Sequence, residues 1–339
     1  MKKLNYNRMA VPQVPRFFDN NELNSRARLD TGTECNYKCS FCYYKDRLDI
    51  VTDFDTINRR VEHLSKLVDE IELSGGESSI HKDWFRILDI CKDKFKHIST
   101  LSNGEMFCDF DFLEKSKEHG LKEILFSVHG IGGSHDSSVG IIGAFDKIKR
   151  AMLNAHKLDI IVRINCTITS NYFDPILYSE FIKQYPNIKQ VNLLPVNSWE
   201  DSIKKIDYHK ASKSIKIFID LMEDSKLYIN VRYMPYCFME GYEEYVRGVY
   251  QHITDKSDWN ILMMNDEDIF SLTEEPTLKQ LFRKAYDIRN ETYIKPKECV
   301  GCKYILKCDG IEFNNLENNK IIPSKGITIE NVLKCKYQY

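Results

Sequence analysis

The sequence predicts an α/β fold built around a parallel sheet. From Arg28 onward, short apolar runs alternate with helical patterns in six successive units, and 339 residues are enough for a full core. The first strand, Arg28 to Thr31, enters a loop carrying Cys35, Cys39 and Cys42. The second, Glu70 to Ser74, runs into Gly75-Gly76-Glu77, where paired glycines let a ligand approach the backbone and Glu77 offers a carboxylate acceptor. The third, His97 to Leu101, ends in Ser102-Asn103-Gly104, and the fourth, Glu123 to Val128, leads into His129-Gly130. The fifth, Ile160 to Ile168, places Arg163, Asn165 and Thr167 on one face and Val162 and Ile164 on the other, which implies a lined cavity. The sixth is Gln190 to Pro195. Helices are predicted near 54–69, 82–94, 110–119, 141–157 and 172–185. In the fourth of these, Ile141, Phe145, Ile148, Met152 and Ala155 recur at steps of three and four and mark the face that covers the sheet. Residues 1–27 lack periodicity and read as an N-terminal extension. Ligands of parallel sheets bind at the carboxyl ends of the strands, so the residues just after each strand are the site candidates.

Composition narrows the function. Lys plus Arg number 48 and Asp plus Glu 50, so no basic excess marks a phosphate-backbone binder, and this argues against a nucleic-acid partner. The residues Met1-Lys2-Lys3-Leu4-Asn5 lack the apolar core of a signal peptide, and no apolar run is long enough to span a bilayer. A soluble, cytoplasmic protein is expected. Eleven cysteines in a reducing compartment point to metal rather than disulfides. Thiolates are soft ligands that select iron-sulfur clusters, zinc or copper(I). Structural zinc sites use paired C-x2-C units and four ligands, whereas Cys35, Cys39 and Cys42, spaced C-x3-C-x2-C, form one tight group of three and leave a metal corner open.

With Phe41 just before the last cysteine, Cys35-Asn36-Tyr37-Lys38-Cys39-Ser40-Phe41-Cys42 resembles the signature of the radical S-adenosylmethionine (SAM) superfamily. The resemblance implies that the three cysteines hold a 4Fe-4S cluster whose unique iron chelates the methionine end of SAM, and that Phe41 packs by the adenine. Gly75-Gly76-Glu77 is similar to the family's GGE motif, which binds the SAM amino group, and Ser102-Asn103-Gly104 to its T-x-S-N-G segment. By the same resemblance Ser127 and Asn165 are cofactor-binding candidates. Taken alone, Gly-Gly-Glu and Asn-Gly also read as turns. Two departures stand out: His129 occupies a place where Asp is usual, and Val139 one where an arginine that helps bind SAM is often found.

Cys299, Cys302 and Cys308, spaced C-x2-C-x5-C, resemble the centre of the SPASM and twitch extensions that bind auxiliary clusters. Glu312 stands where a full SPASM pattern has its next cysteine, so the resemblance implies one auxiliary 4Fe-4S cluster. Cys237, which follows Pro235 and the predicted strand Tyr228 to Tyr233, is the expected fourth ligand, and Cys335 competes for that place. Zinc is the alternative at this second group. Cys108 and Cys166 are candidate hydrogen donors that read more simply as inert buried thiols.

On this resemblance, residues 28–200 form a partial (β/α)6 parallel barrel, 201–224 a helical link and 225–339 a twitch-like auxiliary-cluster domain. The implied activity is reductive cleavage of SAM to a 5'-deoxyadenosyl radical, which abstracts a hydrogen atom from a peptide or small-metabolite substrate. A flavodoxin- or ferredoxin-type protein would supply the electron. The 27 residues before the first strand are too few for a leader-binding domain, which weakens the peptide option. Two other classes stay open: an iron-sulfur electron carrier or sensor without SAM chemistry, and a zinc-stabilised binding module. Gly75-Gly76-Glu77 and the polar fifth strand argue against the carrier.

Overall fold

A computed structural model describes residues 26–42, 44, 48–66, 68–169, 173–196, 205–247, 262–264, 293–305, 308–312, 315–316 and 319–324. The chain runs β1 (Arg26–Asp30), α1 (Phe54–Leu64), β2 (Glu70–Ser74), α2 (Trp84–Lys92), β3 (His97–Ser102), α3 (Phe110–Glu118) and β4 (Glu123–Ser127). It continues through α4 (Gly133–Val139), α5 (Ala144–Lys157), β5 (Ile161–Ile168), α6 (Pro175–Ile182), β6 (Ile188–Pro195) and α7 (Tyr208–Leu221). Then follow β7 (Tyr228–Arg232), β8 (Val246–Arg247) and β9 (Leu262–Met264), and a separate antiparallel pair, β10 (Tyr293–Ile294) with β11 (Ile311–Glu312).

Strands β1 to β9 form one sheet in the order β8-β7-β6-β5-β4-β3-β2-β1-β9, with every neighbouring pair parallel. This is the partial parallel barrel that the sequence predicts, wider than six strands. The strand Tyr228–Arg232 joins the same sheet, pairing with β6 from Gln190↔Tyr228 to Leu193↔Val231. Next to the other edge, which β9 forms, β1 begins at Arg26, two residues before the expected boundary, with Arg26 in register with Glu70. No helix among the described residues is long and apolar enough to cross a membrane.

Three helices depart from their predicted limits: the one expected over 54–69 ends at Leu64, with Ser65 as its C-cap, and the other two differ for local reasons. The helix expected over 141–157 starts three residues late, at Ala144: Gly143 adopts φ +81, and the Asp136 carboxylate of the preceding α4 accepts from Gly143 N at 2.6 Å and Phe145 N at 2.8 Å, capping α5. The helix expected over 172–185 starts at Pro175, where the Asp174 side chain accepts from Ile176 N and Leu177 N.

Alternation along the strands separates two faces. Leu29, Leu73, Ile98, Phe126, Ile164 and Leu193 enter the apolar core under the helices. The opposite face carries charge. Arg28 donates to Glu72 at 2.7 Å, and Arg163 donates to Glu72 at 3.1 Å and pairs with Glu123. Arg26 and His97 complete the set, each 3.1 Å from a Glu123 oxygen. Burial alone would raise the Glu123 carboxyl, but Arg163, His97 and Arg26 hold it down to about 2. A (β/α) barrel interior is ordinarily filled by branched apolar side chains. Here the floor below the strand ends is a layer of compensated charge, and Arg163 belongs to that layer.

Candidate functional site

The ends of β1 and β2 lie side by side, Asp30 opposite Ser74, so the loops that leave them meet. Gly76 N donates to Gly32 O at 3.0 Å and Glu77 N to Glu34 O at 2.8 Å. A Cβ on Gly76 would stand 2.0 Å from Glu34 O, and one on Gly75, whose φ is +119, would stand 2.0 Å from Gly32 O. Only glycine permits this approach.

The three predicted cysteines sit half-buried on the first of these loops. Tyr37, 1% exposed, anchors it among Val139 and Ala144, while Lys38 N and Ser40 N donate to Val139 O and Ser138 O at 3.1 Å. Backbone amides two residues on point at sulfur: Tyr37 N lies 3.4 Å from Cys35 Sγ and Tyr44 N 3.3 Å from Cys42 Sγ. Burial, reinforced by the neighbouring acidic groups, pushes Cys35 up to about 11 and Cys39 up to about 12, and burial raises Cys42. Among the described residues, no three His, Cys, Asp or Glu side chains converge as ligands of a single ion. The donor set, three thiols with amides aimed at two of them, fits an iron-sulfur cluster.

Glu77 is 3% exposed and accepts from Ser79 Oγ at 2.5 Å, Ser102 Oγ at 2.9 Å and Asn103 N at 2.7 Å. Burial raises its pKa against the pull of those donors. Among the described residues no cation pairs with it. Asn103 also reaches the cysteine loop, donating to Asn36 Oδ1 at 2.7 Å with Cys35 Sγ 4.0 Å away. The structure thus gathers Cys35, Glu77 and Asn103, and adds Ser79, Ser102 and Asn36. Asn36 and Ser102 lie inside the two motifs without being singled out there, and Ser79 carries no sequence signal of its own; their roles show only through the partners they meet.

Phe41 faces a second group. Its ring meets His129 edge-on with centroids 4.8 Å apart. His129 Nδ1 accepts from Thr167 N at 3.0 Å, and His135 Nδ1 accepts from His129 N at 3.1 Å, which places the proton of each neutral ring on Nε2. Burial lowers His129 to about 3 and His135 to about 4. Beside them Ser127, Asn165, Asn192 and Asn230 share one register level across β4 to β7. Asn192 Nδ2 donates to Asn165 Oδ1 at 2.7 Å, and Asn192 Oδ1 accepts from Gln190 at 2.7 Å and Asn230 at 3.0 Å. Asn192 and Asn230 are not among the sequence candidates, although their alternation with Leu193 and Val231 is a signal that could have found them. Cys166, 1% exposed, lies in the apolar layer on the other face of β5, away from this group.

Farther along, Cys237, Cys299, Cys302 and Cys308 line one open cavity. Cys237 enters it from the end of β7 behind Pro235, the other three from the segment between β10 and β11. Gly310 N donates to Cys308 Sγ at 3.3 Å, the same i to i+2 pattern as on the first loop. Burial, reinforced by the neighbouring thiols, pushes Cys237 and Cys299 up to about 12; burial also pushes Cys308 up to about 11. Cys335 lies outside the described residues. Glu312, 2% exposed, accepts from Asn315 Nδ2 at 2.6 Å. Asn315 Oδ1 in turn accepts from Ile206 N at 3.0 Å, and Asn319 Oδ1 from Tyr208 N at 2.7 Å, fastening this segment to the start of α7.

A partial parallel barrel with a three-cysteine loop lying on a Gly-Gly-Glu turn defines a radical SAM domain, and residues 30–183 match the Radical SAM superfamily. The chain carries that domain and is similar to several named proteins. One is a probable GTP 3',8-cyclase of Pyrococcus horikoshii, 26% identical over 151 residues, 43% of this chain and 48% of the relative. Another is the sporulation killing factor maturation protein SkfB of Bacillus subtilis, 24% identical over 165 residues, 47% of this chain and 39% of the relative. The solved structure described as native anSMEcpe with bound AdoMet matches in fold, with a TM-score of 0.58 at 15% identity over 88% of this chain and 93% of that one. The chain spans about half or less of the length of these two curated relatives.

Proposed function

We propose that the chain is a radical SAM enzyme that reductively cleaves SAM and abstracts a hydrogen atom from a peptide or small-metabolite substrate. In this reading Cys35, Cys39 and Cys42 hold the SAM-binding 4Fe-4S cluster, and Cys237, Cys299, Cys302 and Cys308 hold one auxiliary 4Fe-4S cluster. The observation that carries it is the contact between the two loops: a backbone approach open only to glycine sets a buried carboxylate, with no countercharge among the described residues, beside the three thiols. The bound cluster supplies the electron that breaks the SAM bond, delivered by a flavodoxin- or ferredoxin-type donor.

The chain's own residues bind and orient. Glu77, held by three donors, takes the ammonium of SAM as its missing countercharge. Asn103 ties the third strand's loop to the cysteine loop, and Gly75 and Gly76 keep the two loops at backbone distance. Phe41 offers a ring to the adenine, while Ser127 and Asn165 line the neighbouring strand ends. The polar face below suits a polar substrate. A peptide is favoured by the likeness to a peptide-maturation protein, and a small metabolite by the likeness to a nucleotide cyclase.

The test is anaerobic reconstitution of the full chain. Two clusters by iron content are expected, one of them lost on replacing Cys35, Cys39 and Cys42 together by Ala. Dithionite with SAM should yield 5'-deoxyadenosine, and Glu77→Ala should weaken SAM binding by about 1.5–3 kcal/mol, the range for a hydrogen bond to a charged group. Zinc in place of iron at the first site, or no deoxyadenosine from the loaded protein, would overturn the reading.

A further inference from the structure

The loop of Cys35, Cys39 and Cys42 is fixed near its two ends by different means. Two places after Cys35 comes Tyr37, whose amide lies 3.4 Å from Cys35 Sγ and whose side chain, 1% exposed, is packed beside Val139 and Ala144. Two places after Cys42 comes Tyr44, whose amide lies 3.3 Å from Cys42 Sγ. This second tyrosine is only half-buried, and its hydroxyl donates to Asp30 Oδ2 at 2.6 Å. Packing seats the first amide, and a side-chain hydrogen bond seats the second.

Asp30 is a firm anchor. It is 5% exposed, closes β1 in register with Ser74, and belongs to a strand paired on one side with β2 and on the other with β9. By alternation with Ala27 and Leu29 it continues the polar face that carries Arg26 and Arg28. The bond from Tyr44 to Asp30 therefore closes a span of 14 residues that contains all three cysteines. Hydrogen bonds to the ligand sulfurs are among the terms that set the potential of an iron-sulfur cluster. An amide aimed at sulfur favours the more negative, reduced form. Holding that amide in place is thus an electronic as well as a structural act.

We propose that Tyr44 is a positioning residue of the first site: through its bond to Asp30 it holds its own amide on Cys42 Sγ, and so raises the reduction potential of the cluster bound by Cys35, Cys39 and Cys42. The inference rests on the reading that these three thiols hold an iron-sulfur cluster. Its consequence is directional, since a raised potential eases entry of the electron that a donor protein delivers.

The experiment is a redox titration of the full, anaerobically reconstituted chain, followed by electron paramagnetic resonance. Replacing Cys35, Cys39 and Cys42 together by Ala identifies the first cluster's signal as the one that is lost. Tyr44→Phe removes a single oxygen and leaves every formal charge in place. It should shift the one-electron equilibrium of that signal about tenfold toward the oxidised form, a lowering of about 59 mV. Asp30→Asn keeps an oxygen that accepts from the phenol and removes a negative charge, so it should titrate at or above the parent. An unchanged potential in Tyr44→Phe, or an equal fall in Asp30→Asn, would overturn the inference. Should Tyr44→Phe fail to hold iron at the first site, retention in Asp30→Asn with loss in Asp30→Leu supports the anchoring bond, while loss in Asp30→Asn or retention in Asp30→Leu overturns it. Absence of iron from the three thiols of the parent chain would overturn the reading of that site, and the inference with it.

Discussion

At Gly76 the space for a side chain is already filled by a carbonyl. The 2.0 Å separation between a Cβ added there and Glu34 O cannot be relieved by a rotamer, because the obstructing atom is backbone. Gly76→Ala is therefore expected to part the two loops, lowering SAM affinity at least as much as Glu77→Ala does, as measured by equilibrium binding to the reconstituted protein. The sequence makes Glu77 visible as an acceptor but not its donors, since Ser79 meets it only through the turn after β2 and Ser102 only because the ends of β2 and β3 are adjacent. The two histidines give a second outcome. Burial lowers His129 and His135 to about 3 and about 4, below the ordinary imidazole value near 6.5, so the unfolded chain binds more protons in that interval. Their contribution to stability is whole above about pH 6.5 and is lost as the pH falls through the folded values. Denaturant melts between about pH 7.5 and 5 should lose stability by up to about 1.4 kcal/mol per pH unit for each imidazole, and His135→Gln should flatten that slope.

The elements are legible where periodicity and burial agree. Strands β2 to β6 begin and end within two residues of their predicted limits, because each has an apolar face under a helix. Helix α4 is not legible: Gly133-Ser134-His135-Asp136-Ser137-Ser138-Val139 has no apolar stripe, and its place is fixed by the cysteine loop that bonds to its last carbonyls. The polar face can be read on β5 alone, whereas it continues through Asn192 and Asn230, whose meaning depends on register with Asn165. Asn192→Leu would leave Asn165 Oδ1 and the Asn230 amide without this partner, a loss of about 1–3 kcal/mol by denaturant melts. The charge layer predicts a larger effect. Glu123 is held down to about 2 in the folded chain, so its stabilisation is present above the ordinary glutamate value near 4.3 and is lost as the pH falls toward 2. Glu123→Gln leaves Arg163 and Arg26 without that carboxylate and should cost about 3–5 kcal/mol near neutral pH.

Across the whole molecule, the second cysteine site is assembled from two parts of the chain. Cys237 hangs from β7, a strand of the barrel sheet, while Cys299, Cys302 and Cys308 belong to the segment around β10 and β11. The spacing of those three is readable in the sequence. What fixes them against the barrel is not, because the fastening passes through polar residues without a motif: Asn315 and Asn319, buried at 0% and 3% exposure, grip the backbone of Ile206 and Tyr208. Asn319 also donates to Ile206 O at 2.9 Å, so its amide uses both ends on one stretch of chain. If the site depends on this fastening, its iron can be lost without touching a cysteine. The paired change Asn315→Ala with Asn319→Ala is expected to lower auxiliary iron toward the level of Cys237→Ala, while deoxyadenosine formation at the first site persists in both. Iron content and cluster spectroscopy on the two variants check this. Full auxiliary iron in the asparagine variant would show that the thiols hold their places without the latch, and full iron in Cys237→Ala would remove Cys237 from the ligand set.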